Sequence, residues 1–346
     1  MKIGILTFHW ATNYGAVLQA YALQHFLEGE GHSVEIIDYK PAVYDLSLHD
    51  FFRRPRNSVK RLFAFRLHRK SRLLQAFRSE RLHLTHRCYT AGDVASIADR
   101  YDCLISGSDQ ILNPSFTMCG EGKPTSTYFL NFVTSCRKVG YAVSFGCTAY
   151  PTEAAGFASD WIRNFDAVGV REESGLDILR QLGYQNPVSL VPDPTLLLGR
   201  ALFSGLIAET RPSRSFVFVY LLRGVQLSPQ VAHACNLPVR KVAKSASLQE
   251  WLGGISGASL FLTNSYHGVI MALMLHVRFV AILETGKLAG MNDRFRTLLG
   301  KAGLTDCISE NIPDSILEAS RVPIDWDRTD ALLETWRRDG KTFLHF

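Results

Sequence analysis

Short apolar runs that stop at a glycine or polar turn and lead into a helical stretch constrain this chain more than any other feature. Lys2 to Phe8 is one such run; Gly15 to Gly29 then carries helical spacing through Val17, Tyr21, Leu23 and Leu27, and Val34 to Tyr39 is apolar again. Short runs without alternation mark strands buried on both faces, and the helices between them supply the crossovers that parallel strands need. The pattern continues with Cys103 to Ser106, broken at Gly107, and with Lys138 to Phe145, ending at Gly146. Asp160 to Phe165 and Ser174 to Leu182 read as helices, the second closed by Gly183, around the strand Ala167 to Val170. Val188 to Leu190 leads into Pro192-Asp193-Pro194, which resists helix and central-strand geometry alike.

After Arg200 the pattern starts afresh. Strands are expected at Ser215 to Leu222, Val239 to Ala243, Leu260 to Thr263 and Phe279 to Ile282, with helices at Ser228 to Ala234, Ser247 to Gly253 and Val269 to Leu275. The fold class expected is α/β, with two Rossmann-like lobes built on parallel sheets. A length of 346 residues agrees with two domains. The bounds expected are 1–200 and 201–325, followed by an amphipathic helix within 326–346, carrying Leu332, Leu333 and Trp336, that packs back onto the first lobe.

With 47% hydrophobic and 20% charged residues the chain has the apolar content of a folded globular protein, which excludes general disorder. The net charge of +6 hides a strong asymmetry: Arg53 to Arg87 holds twelve Lys or Arg and one acid, Glu80, which leaves about −5 for the remainder by difference. Interleaved Leu62, Phe63, Leu73, Leu74 and Phe77 permit a helix with an apolar and a basic side. Such a helix either rests on anionic lipid or packs on the lobe with a solvated basic face. Nucleic acid is not expected, since no recognised binding motif accompanies the charge. The seven cysteines are widely spaced and form no CxxC pair, so neither zinc nor a disulfide framework is indicated, and no metal is expected. The longest apolar run, Val269 to Leu283, is broken by His276 and Arg278, and the first residues lack the apolar core of a signal peptide. A cytoplasmic location is expected, with association at the inner face of the membrane if the basic helix meets lipid.

Six motifs in order carry a resemblance. They are NYGAVLQAYAL at Asn13 to Leu23, SGSDQILN at Ser106 to Asn113, VGYAVSFG at Val139 to Gly146, VREESGLDILRQLG at Val170 to Gly183, VPDPTLLL at Val191 to Leu198, and TNSYHGVIMALMLHVRFVAI at Thr263 to Ile282. Asn292 to Arg294 then precedes a Leu-rich helix. Together they resemble the polysaccharide pyruvyltransferase family over residues 1 to about 305. The resemblance implies a two-lobed fold similar to the glycosyltransferase B architecture with a cleft between the lobes. It implies phosphoenolpyruvate as donor substrate, no further cofactor, and a glycan or lipid-linked oligosaccharide as acceptor. Some members carry an arginine immediately before the histidine of the last motif, where this chain has Tyr266.

Phosphoenolpyruvate bears a phosphate and a carboxylate, so its site needs rigid cations and an acid to protonate the developing methyl carbon. His267 lies in the turn after a strand, beside Ser265, Tyr266 and Gly268 and at the start of a helix whose amides attract anions. It is the leading candidate acid; the alternative is a core histidine that caps the turn. Arg171 follows the strand Ala167 to Val170 and is read as the anion clamp, against a surface salt bridge to Glu172 or Glu173. Arg294 is either a second anion ligand or a solvated helix charge. Asp109, with Ser108 and Gln110 at a strand end, either orients and deprotonates a sugar hydroxyl or caps the next helix. Asn13, Tyr14 and Gly15 form the first strand-to-helix turn and a wall for the acceptor. The activity expected is ketal formation by pyruvyl transfer. Its rivals are a nucleotide-sugar glycosyltransferase of the same architecture and a glycan-binding protein without catalysis.

Overall fold

The computed structural model describes residues 1–41, 44, 58–119, 123–132, 134–207, 215–223 and 225–345, with the side chains of 58–68 and 287 outside that description. The chain divides into two compact units, Met1–Pro194 and Thr195–Phe346. The division falls at the end of the Pro192-Asp193-Pro194 segment anticipated as stiff, a few residues before the expected bound at 200.

The first unit is one six-stranded sheet: β1 (Lys2–Leu6), β2 (Ser33–Ile36), β3 (Cys103–Ser106), β4 (Arg137–Val143), β5 (Ala167–Val170) and β6 (Val188–Leu190), in the order β2-β1-β3-β4-β5-β6. Every pairing is parallel. Strand β2 lies to one side of β1 and all later strands to the other, so the order reverses between β1 and β3, the position at which parallel sheets commonly bind ligands. Three helices of eight or more residues lie between β1 and β3 in the chain. Helix α1 (Tyr14–Gly29) begins one residue before the expected start because Asn13 caps it, its Oδ1 accepting from the Gly15 amide at 2.9 Å. Helix α2 (Ser58–Arg81) carries most of the basic segment, of which residues 53–57 lie outside the description. Helix α3 (Ala91–Ala98), not anticipated, is announced by a capping box between Thr90 and Asp93. The carboxyl-edge core is aromatic: Phe8 meets Trp10, Phe116 and Tyr128 edge-on at 5.7, 5.0 and 4.9 Å. Each such ring contributes about 1.5–3 kcal/mol by leaving water.

The second unit repeats the scheme with β7 (Val217–Tyr220), β8 (Val239–Lys241), β9 (Leu260–Thr263), β10 (Phe279–Ile282) and β11 (Ile308–Ser309), ordered β11-β10-β9-β7-β8 and again wholly parallel. Its reversal lies between β7 and β9. After α4 (Thr152–Ile162) and α5 (Glu173–Gln181) in the first unit, the helices of eight or more residues here are α6 (Leu248–Ser256), α7 (Tyr266–Met274), α8 (Asp293–Ala302) and α9 (Trp326–Leu344). Helix α9 belongs to this unit: Trp326 stacks on His276 at 4.7 Å, and His276 Nε2 bonds Asp330 at 3.0 Å. Among the described residues no helix is long and apolar enough to cross a membrane.

Candidate functional site

In the second unit polar side chains collect where the sheet reverses. The Thr263 hydroxyl at the end of β9 donates to the Tyr220 carbonyl (2.7 Å) and accepts from the Ser265 amide (3.0 Å). Asn264 then joins three strand ends. Its Oδ1 accepts from the Leu222 amide (2.6 Å), and its Nδ2 donates to the Leu222 carbonyl (3.2 Å) and to Glu284 Oε1 (3.0 Å). Glu284 is buried and also receives Arg223 Nη1 at 2.5 Å. The side-chain amide of Asn292 holds the Glu284 backbone on both sides, accepting from its N–H (2.9 Å) and donating to its carbonyl (2.8 Å). Two residues on, Arg294 stands in the first turn of α8.

Ser265 caps α7 by accepting from the Gly268 amide at 3.2 Å, so the helix starts at Tyr266 rather than at Val269. His267 therefore sits in a helical first turn, where N–H groups and the positive end of the helix dipole favour anions. Its ring is buried and meets Tyr266 edge-on at 5.4 Å. The Arg294 guanidinium lies 5.5 Å from the Tyr266 ring and 5.4 Å from the Phe295 ring. At 8% exposure Arg294 is not a solvated helix charge. Tyr266, His267 and Arg294 thus come together around the Tyr266 ring, next to the helix cap Ser265.

In the first unit the sequence-predicted residues split. Thr7, just past β1, donates to the Ser108 carbonyl at 2.9 Å and accepts from Gln19 Nε2 at 2.8 Å. Ser108 Oγ donates to Asp193 Oδ2 at 2.9 Å. Asp109 has φ +81°, a left-handed backbone that non-glycine residues seldom adopt. Its carbonyl accepts from the Ser144 amide (3.0 Å) and its Oδ1 from the Gln110 amide (2.8 Å). Arg171 is 0% exposed and faces three carboxylates: Asp193 at 3.0 Å, Asp109 at 3.4 Å and Glu172 at 3.4 Å. The pairing with Glu172 is therefore present, buried rather than at the surface, and Asp109 and Asp193 share the same guanidinium.

Asn13 is exposed and serves as the cap of α1, Gly15 follows in its first turn, and Tyr14 is buried beneath Lys70 of α2, whose ammonium lies 3.8 Å from the ring centroid. Burial pushes that ammonium down to about 8. Arg78, also on α2, reaches the His9 and Ala11 carbonyls at 3.3 and 3.4 Å and so ties the basic helix to the exit of β1. Gln110 is 9% exposed; its Oε1 accepts from Asn113 at 3.3 Å. Buried His9 bonds the Thr7 carbonyl (3.1 Å) and Asp38 (2.8 Å), and Asp38 also receives Arg87 at 2.8 Å. Among the described residues no group of three or more His, Cys, Asp or Glu is set to hold a metal.

Sequence reasoning missed Arg223, Glu284 and Lys70. For the first two a signal existed, since each closely follows an apolar strand at the carboxyl edge, the same rule that singled out Arg171. For Lys70 none did, because one cation in a run of twelve carries no mark of its own.

Among solved structures, the UDP-GlcNAc 2-epimerase from Methanocaldococcus jannaschii is similar with a TM-score of 0.50 at 10% identity, covering 100% of each chain. A putative UDP-N-acetylglucosamine 2-epimerase from Listeria monocytogenes gives 0.51 at 10% identity over 96% of this chain and 90% of the other. A glycotransferase of kitacinnamycin gives 0.48 at 10% identity over 98% and 95%. The two parallel-sheet α/β lobes thus share the fold of these two epimerases. No curated protein matches the chain. The sequence model of the polysaccharide pyruvyl transferase family matches residues 13–284, from the cap of α1 to the glutamate that binds Arg223 and Asn264. On that match the chain belongs to the polysaccharide pyruvyl transferase family.

Proposed function

We propose that the chain transfers a pyruvyl group from phosphoenolpyruvate to two hydroxyls of a sugar in a bacterial exopolysaccharide or cell-wall glycan precursor, forming a ketal. One observation carries the reading: in a member of this family, His267 on the first turn of α7 and Arg294 on α8 both pack against the Tyr266 ring, and Asn264, three residues before His267, bonds the Glu284 carboxylate that also receives Arg223. Two guanidiniums and the positive end of a helix suit a donor with two anionic groups. Arg223 and Arg294 take over the role first given to Arg171.

In the proposed reaction His267 gives a proton to the methylene carbon, the C=C electron pair forms the new C–H bond, and the neighbouring carbon becomes cationic. One sugar hydroxyl adds there and loses its proton. The bond to the phosphate oxygen then breaks with its electron pair, inorganic phosphate leaves, and the second hydroxyl adds with loss of its proton. One of the two released protons restores His267 and the other leaves with phosphate. Asp109 is assigned to the acceptor, orienting a hydroxyl and relaying its proton to the departing phosphate.

Incubating the pure chain with phosphoenolpyruvate and a panel of free and lipid-linked sugars tests the reading. Phosphate release together with the mass gain of a pyruvyl ketal supports it. No release across the panel and no binding of phosphoenolpyruvate refutes it. In that case a thermal shift with UDP- or GDP-sugars transfers the reading to a glycosyltransferase, and glycan binding alone transfers it to a glycan-binding protein.

A further inference from the structure

We infer that Asp193, Ser108 and Arg171 form a buried positioning unit that holds Asp109 in its left-handed backbone conformation and aims its carboxylate, an inference that rests on the acceptor role given to Asp109 above. Asp109 has φ +81°, which costs energy and persists only where the surroundings impose it. Here they impose it from several directions. The residue before it is fixed twice, by Thr7 on the Ser108 carbonyl and by Asp193 on the Ser108 hydroxyl. The residue after it donates its amide to the Asp109 carboxylate, and Ser144 holds the Asp109 carbonyl. The carboxylate itself receives Arg171 Nη2 at 3.4 Å, while Arg171 Nη1 is anchored on Asp193 at 3.0 Å.

Asp193 therefore grips Asp109 by two routes, through its chain neighbour and through the guanidinium. It is well suited to be the fixed point, since Pro192 and Pro194 on either side restrict its backbone. Exposure separates the members by role: the side chains of Arg171 and Asp193 are 0% exposed and that of Glu172 4%, whereas that of Asp109 is 17% exposed. Asp109 is thus the most exposed member of the network.

The test compares Arg171→Lys, Ser108→Ala, Asp193→Asn and Asp193→Ala in the full chain, measuring turnover, KM for the acceptor and calorimetric affinity for phosphoenolpyruvate. Lysine cannot span two carboxylates as the guanidinium fork does. Loss of orientation should lower kcat by about tenfold to a hundredfold in Arg171→Lys and Ser108→Ala. Affinity for phosphoenolpyruvate should stay within about twofold of the parent, and Asp193→Asn, which keeps an acceptor oxygen, should recover part of what Asp193→Ala loses. A crystal structure of Ser108→Ala should show the Asp109 carboxylate displaced. A parallel loss of phosphoenolpyruvate affinity in Arg171→Lys would overturn the inference by making Arg171 a donor ligand. Undiminished turnover in Ser108→Ala, or an unmoved Asp109 in its crystal structure, overturns it too. If Arg171→Lys does not fold, Ser108→Ala decides alone. Should the parent chain neither bind nor consume phosphoenolpyruvate, the functional reading falls, and the Ser108→Ala crystal structure still judges the positioning unit.

Discussion

Replacing Gly268 by alanine tests whether close packing of α7 on β9 sets the position of His267. A Cβ at residue 268 would lie 3.0 Å from Thr263 Oγ1, 3.1 Å from Ser265 Cβ and 3.3 Å from the Phe261 ring. None of these neighbours yields easily. The Thr263 hydroxyl is held by the Tyr220 carbonyl and the Ser265 amide, Ser265 is the helix cap, and Phe261 is stacked on Phe218 at 5.8 Å. Relief must come from tilting the first turn of α7 off the strand, and His267 moves with it. Overpacking of this kind costs about 1–3 kcal/mol, and exchanging glycine for alanine in a helix returns up to about 1 kcal/mol. The net loss is then on the order of 1 kcal/mol, a fall in Tm of about 3 °C. A displacement approaching 1 Å at a catalytic group costs up to about a hundredfold in rate. The expected signature is thus disproportionate: a small drop in melting temperature by scanning calorimetry, with phosphate release from phosphoenolpyruvate down by about tenfold to a hundredfold. Full activity with a lowered Tm would show that His267 is not positioned by this contact, and the reasoning would fail.

Arg294→Met should weaken phosphoenolpyruvate binding by roughly tenfold to a hundredfold in calorimetry, the worth of one charge-assisted hydrogen bond; unchanged affinity would remove Arg294 from the donor site. Glu284→Gln should weaken the same binding several-fold while leaving the far-UV spectrum intact, because Arg223 loses its anchor; an unaffected Kd argues that Arg223 does not touch the donor. For Asp38, burial raises the carboxyl, but hydrogen bonds and charge from His9 and then Arg87 outweigh it and hold the group below its usual 3.8. The folded state binds fewer protons there than the unfolded one, so this contribution is whole above that value and disappears as pH falls through the lowered folded value. Asp38→Asn should flatten stability against pH on the acid side, measured by urea titration, and superimposable profiles would contradict the assignment. Exposed Arg69, Arg72 and Arg81 of α2 should carry the chain onto vesicles rich in phosphatidylglycerol, so their joint replacement by Gln should abolish flotation; flotation unchanged would exclude that surface.

Much of the fold was legible because buried parallel strands leave a mark that does not depend on distant residues. The run Cys103 to Ser106 stopping at Gly107 became β3, and Leu260 to Thr263 became β9, at the expected bounds. Boundaries set by caps were read less well. Asn13 and Ser265 each start a helix earlier than apolar spacing alone suggests, since the side-chain oxygen that ends the strand-to-helix turn is polar and hides the first turn behind it. Helix α3 was missed although Thr90 and Asp93 spell out its capping box, and β11 was missed because two residues carry no period.

The site was legible as a set of strand ends but not as a set of roles, and the arginines show why. Arg171, Arg223 and Arg294 are alike to a reader of sequence: each stands near the carboxyl end of a strand or the start of a helix. What separates them is the number of carboxylates that the fold brings within reach. Arg171 meets three, two of them, Asp109 and Asp193, distant from it in sequence, and is spent on them. Arg223 meets Glu284 and keeps its side chain 35% exposed, and Arg294 is backed by the faces of Tyr266 and Phe295. A guanidinium that meets one carboxylate and stays partly exposed, as Arg223 does, is open to an anion, whereas one bracketed by three carboxylates holds the framework. The distinction is made by long-range contacts such as that of Arg171 to Asp193, so the proline pair around Asp193, legible only as a stiff segment, turns out to mark the fixed end of the frame that carries Asp109.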